Sequence, residues 1–111
     1  MFEDLYDEIS RLWSWRWPVA QGQIILVEIE RFRRATAKED TLRLSVVYSF
    51  SVGDDGPYSG ESFWSPAFSF NAVKKLREAK RKLHVGLPVQ VRYRSDDPSV
   101  NKLDSSVWKE L

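Results

Sequence analysis

The chain has 111 residues and a mass of 13.0 kDa, with 42% hydrophobic, 30% charged and 14% aromatic residues. A chain of this size and apolar content forms one compact domain, which excludes a disordered tail. The formal net charge of +1 excludes a uniformly basic coat for nucleic acids, although a local basic patch stays compatible with it. The absence of cysteine excludes disulfides and thiolate metal sites. The acidic start of the chain lacks the features of a signal peptide, so we expect a cytoplasmic protein.

The first predicted element is an amphipathic helix over residues 2–15. Its apolar side chains recur at steps of three and four residues, at Phe2, Leu5, Ile9 and Leu12. Because so short a helix needs a tertiary surface to persist, we expect it to pack on the domain, with self-association or a partner contact as the alternative. The sequence thus divides into this helix (1–16) and a single β-rich domain (17–111).

Three strands are predicted next. After a connector at residues 19–22, residues 22–34 are rich in β-branched side chains, and strict alternation would place Ile25, Val27 and Ile29 on one face. In the second strand every even position from 42 to 52 is apolar and most odd positions are polar. This alternation predicts an antiparallel sheet with one buried face. A turn at residues 53–57 then leads to a third strand over residues 58–64, forming a hairpin.

A second helix is predicted over about Ser69 to His84, with Ser69 as the N-cap and Gly86 just past its end. Its apolar stripe consists of Phe70, Val73, Leu76, Ala79 and Leu83. A fourth strand is expected over residues 88–94, and a short last strand near residues 103–108. These elements predict an α+β fold: a twisted antiparallel sheet of four or five strands, or a small, partly open β-barrel. One helix would precede it, and one would lie between strands 3 and 4.

Candidate catalytic groups are sparse in this sequence. His84 is the only histidine, so one chain cannot build a two-histidine metal site. Its predicted position in the last turn of a basic helix gives it a structural role, because a polar or positively charged ring there interacts favourably with the exposed carbonyls. Glu28 and Glu30 share a strand face and could form an acid–base pair, but we expect them to pair with Arg43 or Arg92 across the sheet. The aspartate pairs and glycines lie in turns, without the spacing of calcium or phosphate loops. We therefore expect no enzyme activity, no metal and no cofactor.

The second predicted helix concentrates positive charge. Its six cations and one glutamate give it a charge of +5 in a protein of net +1. The cations cover the face opposite the apolar stripe: Lys74, Lys75, Arg77, Lys80, Arg81 and Lys82. Such a face attracts nucleic-acid phosphates, anionic lipid headgroups or an acidic protein. The alternative is a solvated face, partly neutralised by the acidic residues near the N-terminus.

A second candidate surface is aromatic. Trp13, Trp15 and Trp17 alternate with a serine and an arginine just before the first strand. Interleaved tryptophan and arginine can stack on single-stranded bases, and tryptophan is also enriched at membrane interfaces. The alternative is that these rings plug the ends of a small sheet or barrel, because bulky aromatics supply much of the core in a small domain.

Four short motifs resemble the DUF3592 family, a group of uncharacterised bacterial domains. Residues 17–24 resemble its W-x-x-x-x-G-x-I/V opening, residues 47–60 its Y-x-Y/F-x-V hairpin with the following glycines, and residues 85–93 its hydrophobic-G-x-x-V-x-V-x-Y segment. Pro98 and Leu103 stand where the family's closing N-P…L residues lie, so the resemblance covers residues 17–103. Arg94-Ser95 departs from the family's Asp-Pro. The resemblance implies no known activity.

Family members commonly carry flanking transmembrane helices. The longest uninterrupted apolar run of this sequence, residues 24–27, is far below the ~20 residues that a spanning helix needs. From the basic helix and the Trp-rich stretch we expect a non-enzymatic binding module that contacts a protein or a membrane-associated partner, such as an anionic membrane surface. Nucleic-acid binding through the same face is the alternative, and a homo-oligomer could form through the N-terminal helix.

Overall fold

The computed structural model describes residues 16–33, 41–66, 71–109 and 111. The predicted helix over 2–15 and the predicted turn at 35–40 lie outside the described residues. The described chain is mostly β-structure, with one α-helix between the third and fourth strands. In order, its elements are β1 (Val19–Phe32), β2 (Thr41–Val52), β3 (Asp55–Trp64), α1 (Ala72–Lys82), β4 (Pro88–Arg94), β5 (Asp97–Leu103) and a 3₁₀ helix (Ser105–Trp108).

The five strands form one antiparallel sheet in the order β3-β2-β1-β4-β5. The sheet curls into a nearly closed barrel, in which the Asn101 side chain of β5 contacts both β2 and the outer strand β3. The Tyr48 hydroxyl donates to Asn101 Oδ1 over 2.5 Å, and Asn101 Nδ2 donates to the Ser59 carbonyl of β3 over 3.3 Å. The prediction of an antiparallel sheet of four or five strands with a barrel-like curvature is confirmed.

The barrel interior is filled by the alternating strands. The even positions of β2 point inward as predicted, and Leu44, Val46 and Tyr48 are completely buried. In β4, whose bounds are those predicted, Val89 and Val91 complete this face. Burial of such large aliphatic and aromatic side chains contributes roughly 1.5–3 kcal/mol each, which makes this interior the main source of stability.

The predicted alternation in β1 is wrong. A β-bulge between Ile24 and Leu26 inserts one extra residue against β2, so that Ile24 and Val27 are buried while Ile25 and Leu26 are exposed. The strand also begins at Val19, because the expected connector at 19–22 pairs with β4. A turn of only two residues, Gly53 and Asp54, joins β2 to β3, so the expected turn at 53–57 is too long.

The helix is shorter than the predicted span of Ser69 to His84. It begins at Ala72, with Asn71 at the N-cap and no side-chain capping bond, and Leu83 ends it with a backbone bond to the Ala79 carbonyl. Of the expected apolar stripe, Leu76, Ala79 and Leu83 are buried, whereas Val73 is 46% exposed. Ser69 and Phe70 lie outside the described residues.

The end of the chain also differs from the prediction. The last strand runs from Asp97 to Leu103, and residues 105–108 form a 3₁₀ helix instead of a strand. Asp104 causes the change, because its side chain accepts hydrogen bonds from the Ser106 backbone N–H and hydroxyl. This local cap satisfies backbone donors that a strand would have to satisfy across the sheet.

Candidate binding surface

The basic side chains of α1 all point to solvent. Leu76 and Ala79 anchor the helix on β1 and β2, and the six cations are exposed: Lys74, Lys75, Arg77, Lys80, Arg81 and Lys82. Three of them lie in the last turn, where positive charge compensates the negative end of the helix dipole. The chain therefore places a charge of +5 on a helix of 11 residues that is held to the barrel by one narrow apolar stripe.

Within this surface, Lys74, Arg77 and Arg81 form one exposed row. Their spacing of three and four residues puts them one above the other, on the side of the helix away from Leu76. They line an open depression of about 590 Å³ along the helix, together with Glu78. A flat or convex anionic surface could contact all three cations at once.

A groove of about 430 Å³ flanks the helix on the side of Lys75 and Lys82. Its walls include Trp64 at the end of β3, Pro66 and Leu111. The groove shows that α1 lies across the end of the barrel at which β3 stops. It combines an aromatic ring with two cations.

Trp17, the described part of the tryptophan stretch, lies away from the basic helix. Trp13 and Trp15 lie outside the described residues. Trp17 is half-buried, and its carbonyl accepts a hydrogen bond from Arg92 Nη1 over 3.0 Å. β4 begins at Pro88, shortly after the end of α1, and reaches Arg92 about 13 Å further along the strand. Since Arg92 contacts Trp17, Trp17 lies at the end of the barrel opposite to α1. The two predicted surfaces are therefore separate where they are described.

The candidate catalytic residues serve structural contacts or face solvent. Glu30 pairs with Arg43 over 2.6 Å, as expected, and the Arg43 guanidinium lies 3.7 Å from the centre of the Phe63 ring. The expected partnership with Arg92 does not occur, because Arg92 binds Asp104. His84 is exposed and follows the helix instead of ending it, with Nδ1 3.1 Å from the Val85 carbonyl. Among the described residues, no group of three or more His, Asp or Glu side chains could hold a metal ion.

Sequence reasoning missed Asp104, the carboxyl whose pKa is lowered most among the residues that the structure describes. Hydrogen bonds from the Ser106 hydroxyl and the Arg92 guanidinium lower the pKa of Asp104 to about 2, against the opposing effect of burial. The Arg92 Nε–Asp104 Oδ1 distance is 2.6 Å. The same guanidinium holds the Trp17 carbonyl, so one side chain joins β4, the 3₁₀ helix and the start of β1. No periodic signal in the sequence could reveal this link.

No helix in the described part of the chain is long and apolar enough to cross a membrane. Neither a curated protein nor a solved structure shows significant similarity to the chain. A family model, described as a domain of unknown function, matches residues 20–108. This match spans all five strands except the first residue of β1, together with the helix and the 3₁₀ helix. The chain therefore belongs to the DUF3592 family.

Proposed function

We propose that the chain is a non-enzymatic binding module that contacts an anionic surface, on a membrane or on a membrane-associated protein, through the basic face of α1. One observation carries this proposal: the six exposed cations of the helix against a single glutamate, in a protein whose net charge is +1. The charge is thus segregated, and segregated charge attracts an oppositely charged partner more strongly than the net charge suggests.

The geometry supports an electrostatic contact more than an inserted one. The exposed face of α1 carries lysines, arginines and one glutamate, and its single exposed large apolar side chain is Val73. A helix that inserts into a membrane needs a broad, exposed apolar face, whereas α1 has a narrow apolar stripe that is buried against the barrel. The proposal therefore rests on α1 alone, and the tryptophan stretch is not part of it.

Reversal of two charges on the exposed row tests this proposal. We expect the Arg77→Glu/Arg81→Glu variant to bind vesicles containing phosphatidylserine at least about thirtyfold more weakly, because each basic residue near an anionic surface contributes about 1 kcal/mol and the loss of two already accounts for this factor. Cosedimentation at physiological salt measures the change.

The matched control is Lys102→Glu/Lys109→Glu, which changes the net charge equally at exposed positions outside α1. This control should bind within about twofold of the unmodified protein, since its charges lie outside the contact. Equal weakening by both double variants would show that only net charge matters, and the proposal would then be wrong.

Single-stranded nucleic acid is the second candidate, and the groove beside α1 is the observation that favours it. Trp64 lines it together with Lys75 and Lys82, and an aromatic ring near cations is the arrangement on which unpaired bases stack. The ring is half-buried, which limits the area that a base could cover. We therefore rank this candidate second.

A further inference from the structure

Exposed apolar side chains come together beside the end of α1. Ile25 and Leu26, at the bulge of β1, are 44% and 45% exposed, and Val85, in the turn after the helix, is 62% exposed. Val85 is the most exposed large apolar side chain in the part of the chain that the structure describes. Single exposed apolar side chains are ordinary, whereas a group of them indicates a contact surface. We call these three residues the apolar tip.

Backbone hydrogen bonds hold the two segments of the apolar tip together. The Ile24 N–H donates to the Leu87 carbonyl over 3.0 Å, and the Gly86 N–H donates to the Ile24 carbonyl over 2.7 Å. These bonds continue the antiparallel pairing of β1 with β4 by one step. The next residue on each chain is Ile25 on one side and Val85 on the other, so the two lie next to each other.

The turn after α1 places Val85 at its outer corner. Residues 84–87 form a β-turn, closed by the Leu87 N–H, which donates to the His84 carbonyl over 3.1 Å. Gly86 stands at the third position with a φ of 90°, the conformation that a type II turn requires there. Val85 therefore takes the second position, which has no need of an aliphatic side chain. The demands of the turn do not explain why an apolar residue is exposed there.

Cations border the apolar tip. Lys80, Arg81 and Lys82 form the last turn of α1, and all three are exposed. Successive residues of a helix are about 100° apart, so these side chains surround the solvent-facing side of the helix end. Lys82 precedes Val85 by three residues, which keeps their Cα atoms within about 11 Å of each other. An anionic surface that meets the tip therefore also meets the last turn of α1.

Two acidic side chains limit the extent of this surface. Glu28 is exposed on the outer face of β1, and it stands about 7 Å beyond Leu26 along the strand. Glu78 is the only acid of α1 and lies a full turn before Lys82. Glu28 thus marks the point beyond which β1 cannot enter an anionic bilayer, and only the apolar tip lies before it.

We propose that the apolar tip inserts between the lipid headgroups of an anionic membrane while the last turn of α1 contacts their phosphates. This inference rests on the proposed function and assigns the anionic surface to lipid. Charge complementarity selects this occupant, because the three cations attract the headgroups and the aliphatic side chains supply apolar area for the acyl boundary. Binding at a membrane interface depends on these two contributions. The charged face of α1 itself stays outside the hydrocarbon.

Serine substitutions separate the apolar tip from the cations. We expect Ile25→Ser/Val85→Ser to bind phosphatidylserine vesicles at least about fivefold more weakly, because the bilayer no longer buries two aliphatic side chains. The control is Val19→Ser, since Val19 is 44% exposed and pairs with Arg92 at the end of the barrel where Trp17 lies. Its binding should stay within about twofold of the unmodified protein. Amide spectra without lipid show whether each variant keeps the fold.

A label inside the bilayer locates the contact in the unmodified chain. The ¹⁵N-labelled protein is added to nanodiscs of phosphatidylserine and phosphatidylcholine, with and without a lipid that carries a nitroxide on its upper acyl chain. The nitroxide broadens amides steeply with proximity. We therefore expect stronger broadening at Ile25, Leu26 and Val85 than at Lys74 and Arg77 of α1.

The outcomes distinguish this inference from the proposed function. Equal vesicle binding by Ile25→Ser/Val85→Ser and the unmodified protein would overturn the inference and leave the α1 contact in place. Broadening by the nitroxide that is confined to α1 would overturn it in the same way. Unchanged binding of Arg77→Glu/Arg81→Glu, with loss in the serine variant, would overturn the proposed function and keep the apolar tip as the contact. No binding of the unmodified protein to these membranes would overturn both.

Discussion

Gly60→Ala should destabilise the domain by about 3 kcal/mol, because a methyl group at this position has no space. A Cβ on Gly60 would overlap the Tyr48 hydroxyl and Asn101 Oδ1, which are the two atoms that join β2 to β5. The substitution therefore crowds the interior and breaks a partly buried hydrogen bond at the seam of the barrel. Urea denaturation followed by tryptophan fluorescence measures the loss.

Two neighbouring variants show whether the seam is the cause. Ser59→Ala changes an exposed side chain beside Gly60, and it should change the free energy of unfolding by less than about 0.5 kcal/mol. Tyr48→Phe removes the hydroxyl without adding volume, and it should cost about 1 kcal/mol. If Gly60→Ala cost no more than Ser59→Ala, the closure of the barrel through Asn101 would be wrong.

Asp104→Asn should cost about 2 kcal/mol at neutral pH, because it removes the carboxylate that binds Arg92 and caps the 3₁₀ helix. The pKa of Asp104 is about 2 in the folded protein, below its ordinary value of 3.8. A lowered pKa means that the carboxylate stabilises the fold above about pH 4, and that this stabilisation is lost as the pH falls toward 2. The difference in stability between the unmodified protein and Asp104→Asn should therefore shrink over that range.

Comparing the stability of the variants over this pH range separates the contribution of Asp104 from that of the other carboxylates. Hydrogen bonding from the Ser99 hydroxyl also lowers the pKa of Asp97, so the unmodified protein loses stability in acid for more than one reason. Asp96→Asn is the control, because Asp96 forms an exposed bridge to Arg94, and it should cost less than about 1 kcal/mol. A constant difference between the unmodified protein and Asp104→Asn from pH 7 to pH 2 would contradict the assigned role.

Regular periodicity explains what the sequence predicted correctly. The alternation in β2 and in β4 requires one buried face whatever the sheet order, and the buried side chains of both strands confirm it. Arg43 could be named in advance as one of two candidate partners of Glu28 and Glu30, because it lies on a predicted neighbouring strand with opposite charge, and the structure pairs it with Glu30. These features depend on residues close in sequence or on one strand pair.

The remaining features depend on contacts that local patterns do not encode. The bulge at Ile24 shifts the face of β1 by one residue, and an unbroken run of aliphatic residues gives no sign of it. Asp104 ends the last strand only because Arg92 and Ser106 hold its carboxylate. For the candidate surface, the sequence identified the cations of α1 correctly as exposed. It could not show that Trp17 lies at the other end of the barrel, because their separation follows from the strand register.

The central claim is that α1 is the contact surface for an anionic partner. Amide NMR spectra of the ¹⁵N-labelled chain, recorded with phosphatidylserine vesicles and separately with a mixed single-stranded oligonucleotide, test it most directly. At physiological salt we expect the vesicles to shift or broaden residues 74–82 more strongly than the amides of β5, with a weaker response to the oligonucleotide. A stronger response to the oligonucleotide would instead favour nucleic-acid binding. Unchanged spectra at residues 74–82 with both ligands would contradict the claim and leave the basic face as solvated surface.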